Sequence, residues 1–333
     1  MHVGLQKTGT TSIQTFLTQN QQVLAKHGFV YPDPGKVRIG LDGISHGHLS
    51  MSLTGYWRDV GYQLSREEAW GELRDLYFET DGHLLISHES LSTPQIIPHL
   101  PFIKEMLGDL NVKVVIYLRR QDVFVQSVYK ERLKSDETRK FQQAFELGDY
   151  PDLLDFYSIL DHWRQCVGEN NLIVRVYEKG QLHRNDVLQD FLKIIGAGKI
   201  RGLKKLPENE NRTMNWNVLE ISRVFNSMDI SGAEVLAFKW WLNDILLDDK
   251  GNVFVDHNII SPADRLAILT DCQNGNEKIA REFLSRTDGR LFYEPHPDPT
   301  EDWQPHAGIP PGDVARMLVA MFEKYPILDR KGG

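Results

Sequence analysis

The chain has 333 residues, 41% of them hydrophobic and 25% charged, with a net charge of −8. That composition is that of a folded globular protein with one large core or two modest ones. The acidic balance argues against nucleic acid as the main partner, which calls for a basic face, but leaves room for an anionic small molecule in a pocket with its own local potential. Cys166 and Cys272, the two cysteines, lie outside any CxxC pattern and read as ordinary thiols of a reducing compartment. No stretch approaches the roughly 20 apolar residues of a spanning helix, and the chain opens on a polar loop rather than a basic-then-apolar leader. No membrane insertion and a cytoplasmic location are therefore expected.

His2-Val3-Gly4-Leu5 reads as the end of a short strand. Lys7-Thr8-Gly9-Thr10-Thr11-Ser12 follows, too polar for a core. From Ser12 the period changes: Ile13, Phe16, Leu17, Val23 and Leu24 fall near helical spacing, and Gly28 suits the helix end. Residues 31–64 look like a long Gly- and His-rich excursion that includes "HGHLS" at 46–50. A helix is expected over 66–78, a buried strand "HLLISHES" over 83–90, and a helix over 101–109. "VKVVIYLRR" (112–120) is the clearest strand, β-branched and apolar until two arginines end it. A helix over 121–134, a strand over 171–178 and a helix over 185–196 come next.

Residues 201–213 are the most linker-like, with Arg201, Lys204, Lys205 and Arg212. Helix is expected from Val218 to Leu247, then irregular chain, then a last helix near 313–325. Alternating strands and helices, with strands that are nearly all apolar, predict an α/β fold: a parallel central sheet flanked by helices, followed by a mainly helical C-terminal part. Internal repeats and low-complexity runs are not seen.

A polar loop between a parallel strand and a helix aims backbone N–H groups at whatever sits on the helix N-terminus, where the dipole favours an anion. Gly9 lets the backbone approach closely, Thr10, Thr11 and Ser12 add hydroxyl donors, and Lys7 adds a full charge. One threonine would suffice as a cap; the whole set points to a phosphate. The arrangement is not a Walker loop, because Lys7 precedes Gly9 instead of following the last glycine.

The loop resembles the 5′-phosphosulfate-binding loop of sulfotransferases that use 3′-phosphoadenosine 5′-phosphosulfate (PAPS). "VVIYLRR" and "QDVFVQS" extend the resemblance: Arg119 ends the strand, and Ser127 follows eight residues later. Over about residues 1–200, "HVGLQKTGTTSIQTFL" and "YLRRQDVFVQSVY" look most like a bacterial branch close to the Golgi carbohydrate sulfotransferases. Ser12 stands where the cytosolic small-molecule enzymes usually carry Trp.

The resemblance implies a P-loop-NTPase-like sulfotransferase fold in one domain. Residues 1–200 would form the PAPS-binding α/β core, and 201–333 would contribute to the acceptor pocket. It implies that Lys7, Thr8, Gly9, Thr10, Thr11 and Ser12 hold the 5′ end of the donor, and that Arg119 and Ser127 hold the 3′-phosphate. Arg120 is a possible second contact, and Arg212 or Lys205 stands in for the family's basic loop. The product nucleotide would be 3′-phosphoadenosine 5′-phosphate (PAP), and no metal is required.

Lys7 is the candidate to stabilise the leaving oxygen, because sulfuryl transfer needs in-line placement and charge stabilisation. The family places its base near the end of the strand before the 3′-phosphate strand, which here offers His88 and Glu89, with Glu89 favoured. His48, with His46 beside it in "HGHLS", is the reserve base and an acceptor-site candidate. The acceptor expected from the resemblance is a hydroxyl of a carbohydrate or of a glycosylated or other small molecule. Trp240, Trp241 and Trp303 are candidates to stack on it, though core packing explains them as well. An ATP-dependent small-molecule kinase with an atypical phosphate loop is the alternative. Such an enzyme would want an Asp where the strand ends in Arg119, to hold Mg²⁺.

Overall fold

The structure is a computed structural model, and it describes residues 1–32, 44–55, 64–146, 150–206, 214, 216–228, 233–247, 259–305, 311–312, 314–315 and 318–319. The fold is mixed α/β, built on parallel strand pairing. β1 (Phe29–Val30) pairs with β2 (His83–Leu84), and β3 (Val114–Leu118) pairs with β4 (Leu172–Val176), both in parallel. The N-terminal segment joins the two pairs. His2 bridges Ser87 on one side and Val115 on the other, again in parallel. Its ladder is His2 N–H to the Ile86 carbonyl, His88 N–H to the His2 carbonyl and Val3 N–H to the Val115 carbonyl. Five parallel segments thus lie side by side, with the chain start in the middle, β2 and then β1 to one side, and β3 and then β4 to the other.

All five residues of β3 are buried, as their near-continuous apolar run requires of a strand covered on both faces. The expected strand over 83–90 is shorter than its sequence suggests. Ser87 gives its carbonyl to His46 N–H and its own N–H to His46 Nδ1, and from Glu89 the chain tightens into a 3₁₀ turn, Glu89–Ser92.

Helix α1 (Thr10–Gln19) follows the polar loop, and α2 (Gln21–Ala25) follows it directly. The expected single helix breaks at Asn20, whose side chain donates to the carbonyls of Phe16 at 2.9 Å and Lys204 at 3.1 Å and accepts from Lys204 N–H at 2.7 Å. That amide ties residue 204 to α1. Next come α3 (Gly47–Thr54), α4 (Arg66–Glu79) and α5 (Leu100–Leu107). Ser65 and Glu68 form a reciprocal capping box at the start of α4. α6 (Gln121–Ser135), α7 (Phe141–Glu146), α8 (Pro151–Leu154), α9 (Phe156–Val167) and α10 (Val187–Ile194) follow. The last described helices are α11 (Trp216–Asn226), α12 (Ala233–Leu247), α13 (Pro262–Asp271) and α14 (Gln273–Glu282).

Where irregular chain was expected after Leu247, α13 and α14 stand; the expected helix near 313–325 lies largely outside the described residues. The chain groups into two compact units that interleave along the sequence. One holds Met1–Phe124, Tyr150–Asn211 and Ile268–Pro295; the other holds Val125–Asp149, Arg212–Ala267 and His296–Gly333. The first unit contains the sheet, and its core packs Ile13, Phe16 and Leu17 of α1 with Val115, Tyr117 and Phe191. Among the described residues no helix is long and apolar enough to cross a membrane.

Candidate functional site

The loop from Leu5 to Thr10 leaves the C-terminal end of the central strand segment and turns into α1. Lys7 has φ of +63° and Gly9 of +81°, while Thr8 between them stays negative. Alternating backbone hand turns successive N–H groups toward one side, the geometry of an anion-binding nest. A left-handed lysine is uncommon and costs about 1–3 kcal/mol, a strain that clusters at ligand sites. Gly9 is required twice over, because its φ suits glycine and a Cβ there would meet Val187 Cγ1 at 3.0 Å and Tyr177 Cε2 at 3.2 Å. The N-cap of α1 is Gly9, which has no side chain to cap the first-turn N–H groups.

The hydroxyls divide. Thr8 is buried and donates to the Leu5 carbonyl at 2.6 Å, so it braces the loop. Thr10 Oγ1 lies 3.5 Å from the same carbonyl, Thr11 is exposed, and Ser12 lines a cleft beside α1.

Arg119, immediately after β3, reaches this loop. Its Nη1 donates to the Lys7 carbonyl at 2.9 Å. Its guanidinium also lies over the Tyr177 ring, 5.8 Å from the centroid. Burial lowers its pKa from the ordinary arginine value, against the raising influence of Tyr177, Asp122 and Glu294. Among the described residues no carboxylate lies within salt-bridge distance of it, and no acceptor other than the Lys7 carbonyl bonds it. A desolvated cation with most of its five N–H donors unused is costly unless an anion completes it.

Arg120, considered as a second contact, is occupied. It pairs with Asp122 at 2.8 Å and donates to the carbonyls of Glu294 and Pro295, tying that segment to the end of β3. Glu178, just after β4, accepts from Tyr293 and Glu294 N–H and holds the same segment from the other strand. Ser127 lies on α6, in the second unit; Arg212 lies outside the described residues.

A cleft of about 710 Å³ opens beside the start of α1, lined by Ser12, Phe16, Tyr177, Lys179, Val187 and Lys205 among others. That size suits a nucleoside-scale ligand, and ligand pockets generally pair apolar walls with a few polar groups. Asn20 pins the backbone at Lys204 and so places Lys205 at the cleft. The sequence reading did not single out Tyr177. The available signal was its place directly after an apolar parallel strand, where such folds bind ligands.

The base candidates separate by burial. His88 is 7% exposed, both ring nitrogens lack a hydrogen-bond partner among the described residues, and burial lowers its pKa against the raising charge of Glu89. Glu89 retains 28% exposure of its side chain and accepts from Gln14 Nε2 at 3.0 Å. His48 is buried on α3, and burial pulls its pKa down to about 4. His46, read as an acceptor-site residue, is fully buried and serves the fold. Ser87 N–H donates to its Nδ1 at 3.2 Å, which leaves Nε2 protonated to donate to the Pro32 carbonyl at 3.1 Å. Trp241 packs against Phe238 at 5.5 Å, and Lys134 Nζ sits 5.5 Å over Trp240. Cys166 and Cys272 are half-buried thiols, each pushed up to about 11 by burial, which disfavours the reactive thiolate. Among the described residues no group of three or more His, Cys, Asp or Glu is placed to hold a metal ion.

A curated, uncharacterized protein of Archaeoglobus fulgidus is 24% identical over 242 residues, 72% of this chain. The chain spans about 64% of that relative's length. No protein-family model matches the chain. No solved structure matches it either.

Proposed function

We propose that the chain is a PAPS-dependent sulfotransferase acting on an acceptor hydroxyl, a carbohydrate or a glycosylated or other small molecule. The observation that carries this reading is the Arg119–Lys7 contact: a strand-end arginine with no carboxylate partner among the described residues, hydrogen-bonded to a strained Lys-Thr-Gly loop at a helix start. The contact brings the strand-end arginine of one segment that resembles the family's donor-binding motifs to the polar loop of the other. The family fold, a P-loop-NTPase-like sulfotransferase core, fits the parallel order with the loop at the C-terminal edge of its middle segment, where a change in crossover direction opens a crevice.

On this reading the N–H groups of Gly9, Thr10 and Thr11 and the charge of Lys7 hold the 5′-phosphosulfate, and Arg119 holds the 3′-phosphate. The part given to Ser127 rests on the resemblance alone. The cleft at Ser12, Phe16, Tyr177 and Lys205 takes the nucleoside. When bound, the donor supplies a sulfuryl group whose bond to a phosphate oxygen breaks as a bond to the acceptor oxygen forms, with PAP as the other product. Lys7 offsets the charge that grows on the leaving oxygen. Glu89 takes the hydroxyl proton; it is reachable from solvent where His88 is enclosed. A general base of this kind contributes about 10²–10⁴-fold.

The test is transfer of ³⁵S from labelled PAPS to panels of glycans and small-molecule hydroxyls. Labelled product that disappears in Glu89→Gln and Lys7→Ala supports the reading. The absence of any transfer, with phosphate from ATP·Mg²⁺ passed to the same acceptors instead, overturns it in favour of a kinase.

A further inference from the structure

Gln14 is an anomaly on its helix. It lies among Ile13, Phe16 and Leu17 on α1, is only 3% exposed, and is polar. A buried carboxamide needs partners, and this one finds Glu89, 75 residues away, donating from Nε2 to Oε2 at 3.0 Å. Among the described residues no other donor reaches the Glu89 carboxylate; Ser92 Oγ donates to its main-chain carbonyl instead. His88 Nδ1 stands 3.8 Å from the same oxygen, beyond hydrogen-bond reach, and burial keeps that ring neutral. Tyr31 feels the Glu89 charge, but its hydroxyl donates to the Ile44 carbonyl.

Gln14 also stands four residues after Thr10, one helical turn below the polar loop and on the same side of α1. One short helix therefore carries the anion-binding loop at its start and, one turn later, the only donor among the described residues to the Glu89 carboxylate.

We infer that Gln14 is the positioning residue for the base: it fixes one oxygen of the Glu89 carboxylate, and so sets the direction of the other, from the helix that holds the donor. This rests on the sulfotransferase reading. The role is the one a third group plays in orienting an activated base. Because the donor loop and Gln14, the residue that holds the base, share α1, one turn of rigid helix separates the loop from the group that orients Glu89.

The test uses Gln14→Leu, Glu89→Gln and the double variant, with Gln14→Glu as a second probe of similar size. With labelled PAPS, Gln14→Leu should lower kcat by about tenfold or more while PAP affinity and the KM for PAPS stay within about twofold. Adding Gln14→Leu to Glu89→Gln should change kcat no further. The acid limb of the kcat–pH profile should move to higher pH in Gln14→Leu, and further in Gln14→Glu, where a second carboxylate faces Glu89. The link is also read without donor or acceptor: the side-chain amide NMR signal of Gln14, assigned by its loss in Gln14→Leu, should shift in Glu89→Gln. If that signal shifts while no sulfuryl transfer occurs in wild type, the sulfotransferase reading fails and the Gln14 role falls with it. If transfer occurs and Gln14→Leu lowers PAP affinity as much as kcat, or its effect adds fully to that of Glu89→Gln, the positioning role is overturned.

Discussion

Arg119 Nη1 donates to the main-chain oxygen of Lys7 at 2.9 Å across 112 residues of sequence. The bond fixes a cation against a loop whose N–H groups already favour an anion. It uses one of five guanidinium donors, and the other four are the capacity for a phosphate.

Lys7→Ala and Arg119→Ala should therefore fail in different ways. Removing Lys7 takes away charge stabilisation needed most as the leaving oxygen develops charge, so kcat should fall by about 10²-fold or more with a smaller change in PAP affinity. Removing Arg119 takes away ground-state binding, so the KM for PAPS should rise by about 10- to 100-fold, the value of one or two charge-assisted hydrogen bonds. Steady-state kinetics with labelled PAPS distinguishes the two, and identical profiles would contradict the division of roles.

Gly9→Ala should be destabilising and should weaken nucleotide binding together. The methyl group meets Val187 Cγ1 at 3.0 Å and Tyr177 Cε2 at 3.2 Å on a backbone with φ of +81°. A cost of about 1–3 kcal/mol is expected, read as a lower denaturant midpoint. A variant as stable as wild type would show that the loop is not held as described.

Asp190 is 1% exposed and accepts from Tyr117 Oη at 2.9 Å, Arg175 Nε at 2.9 Å and His183 N–H at 2.8 Å. It fastens Tyr117 of β3 and Arg175 of β4 to α10. Asp190→Ala should cost about 2–3 kcal/mol, less than for a fully enclosed pair because Arg175 is partly exposed. Urea unfolding measures this, and a loss below about 0.5 kcal/mol would contradict it.

Acid should destabilise the fold well before carboxylates titrate. Burial lowers His2 to about 3 and His48 to about 4 from the ordinary 6.5, and lowers His88 as well. Below 6.5 the unfolded chain binds protons that the folded chain excludes, so their contribution is complete above that pH and is lost as pH falls toward the folded values. Each histidine adds a slope of up to about 1.4 kcal/mol per pH unit. Urea unfolding at about pH 7 and about pH 5 should show the drop, reduced in His48→Gln. Equal stability at the two pH values would rule it out.

Much of the α/β frame was legible in the sequence, and the reasons are local. Val114–Leu118 is β-branched and apolar and is buried along its whole length, so pattern and burial agree. α4 announces itself through Ser65 and Glu68. α14 did not, because its sequence QNGNEKIARE carries a glycine and many polar residues, and only Ile279 and Ala280 are buried. The break at Asn20 was equally hidden, since it depends on Lys204, 184 residues away. At the site, the chemistry of the loop could be read from Lys7, Gly9 and the hydroxyl residues, and Arg119 came through the family resemblance. The pairing of Gln14 with Glu89 could not be read, because helical periodicity explains why Gln14 is buried but not what it meets.

Calorimetric titration of PAP into the wild-type chain and into Arg119→Ala, with ATP·Mg²⁺ as comparison, tests the central claim most directly. The account predicts that PAP binds wild type tightly, that the variant loses about 10- to 100-fold in affinity, and that ATP·Mg²⁺ binds far more weakly. Equal affinity of PAP for both proteins, or preference for ATP·Mg²⁺, would contradict it.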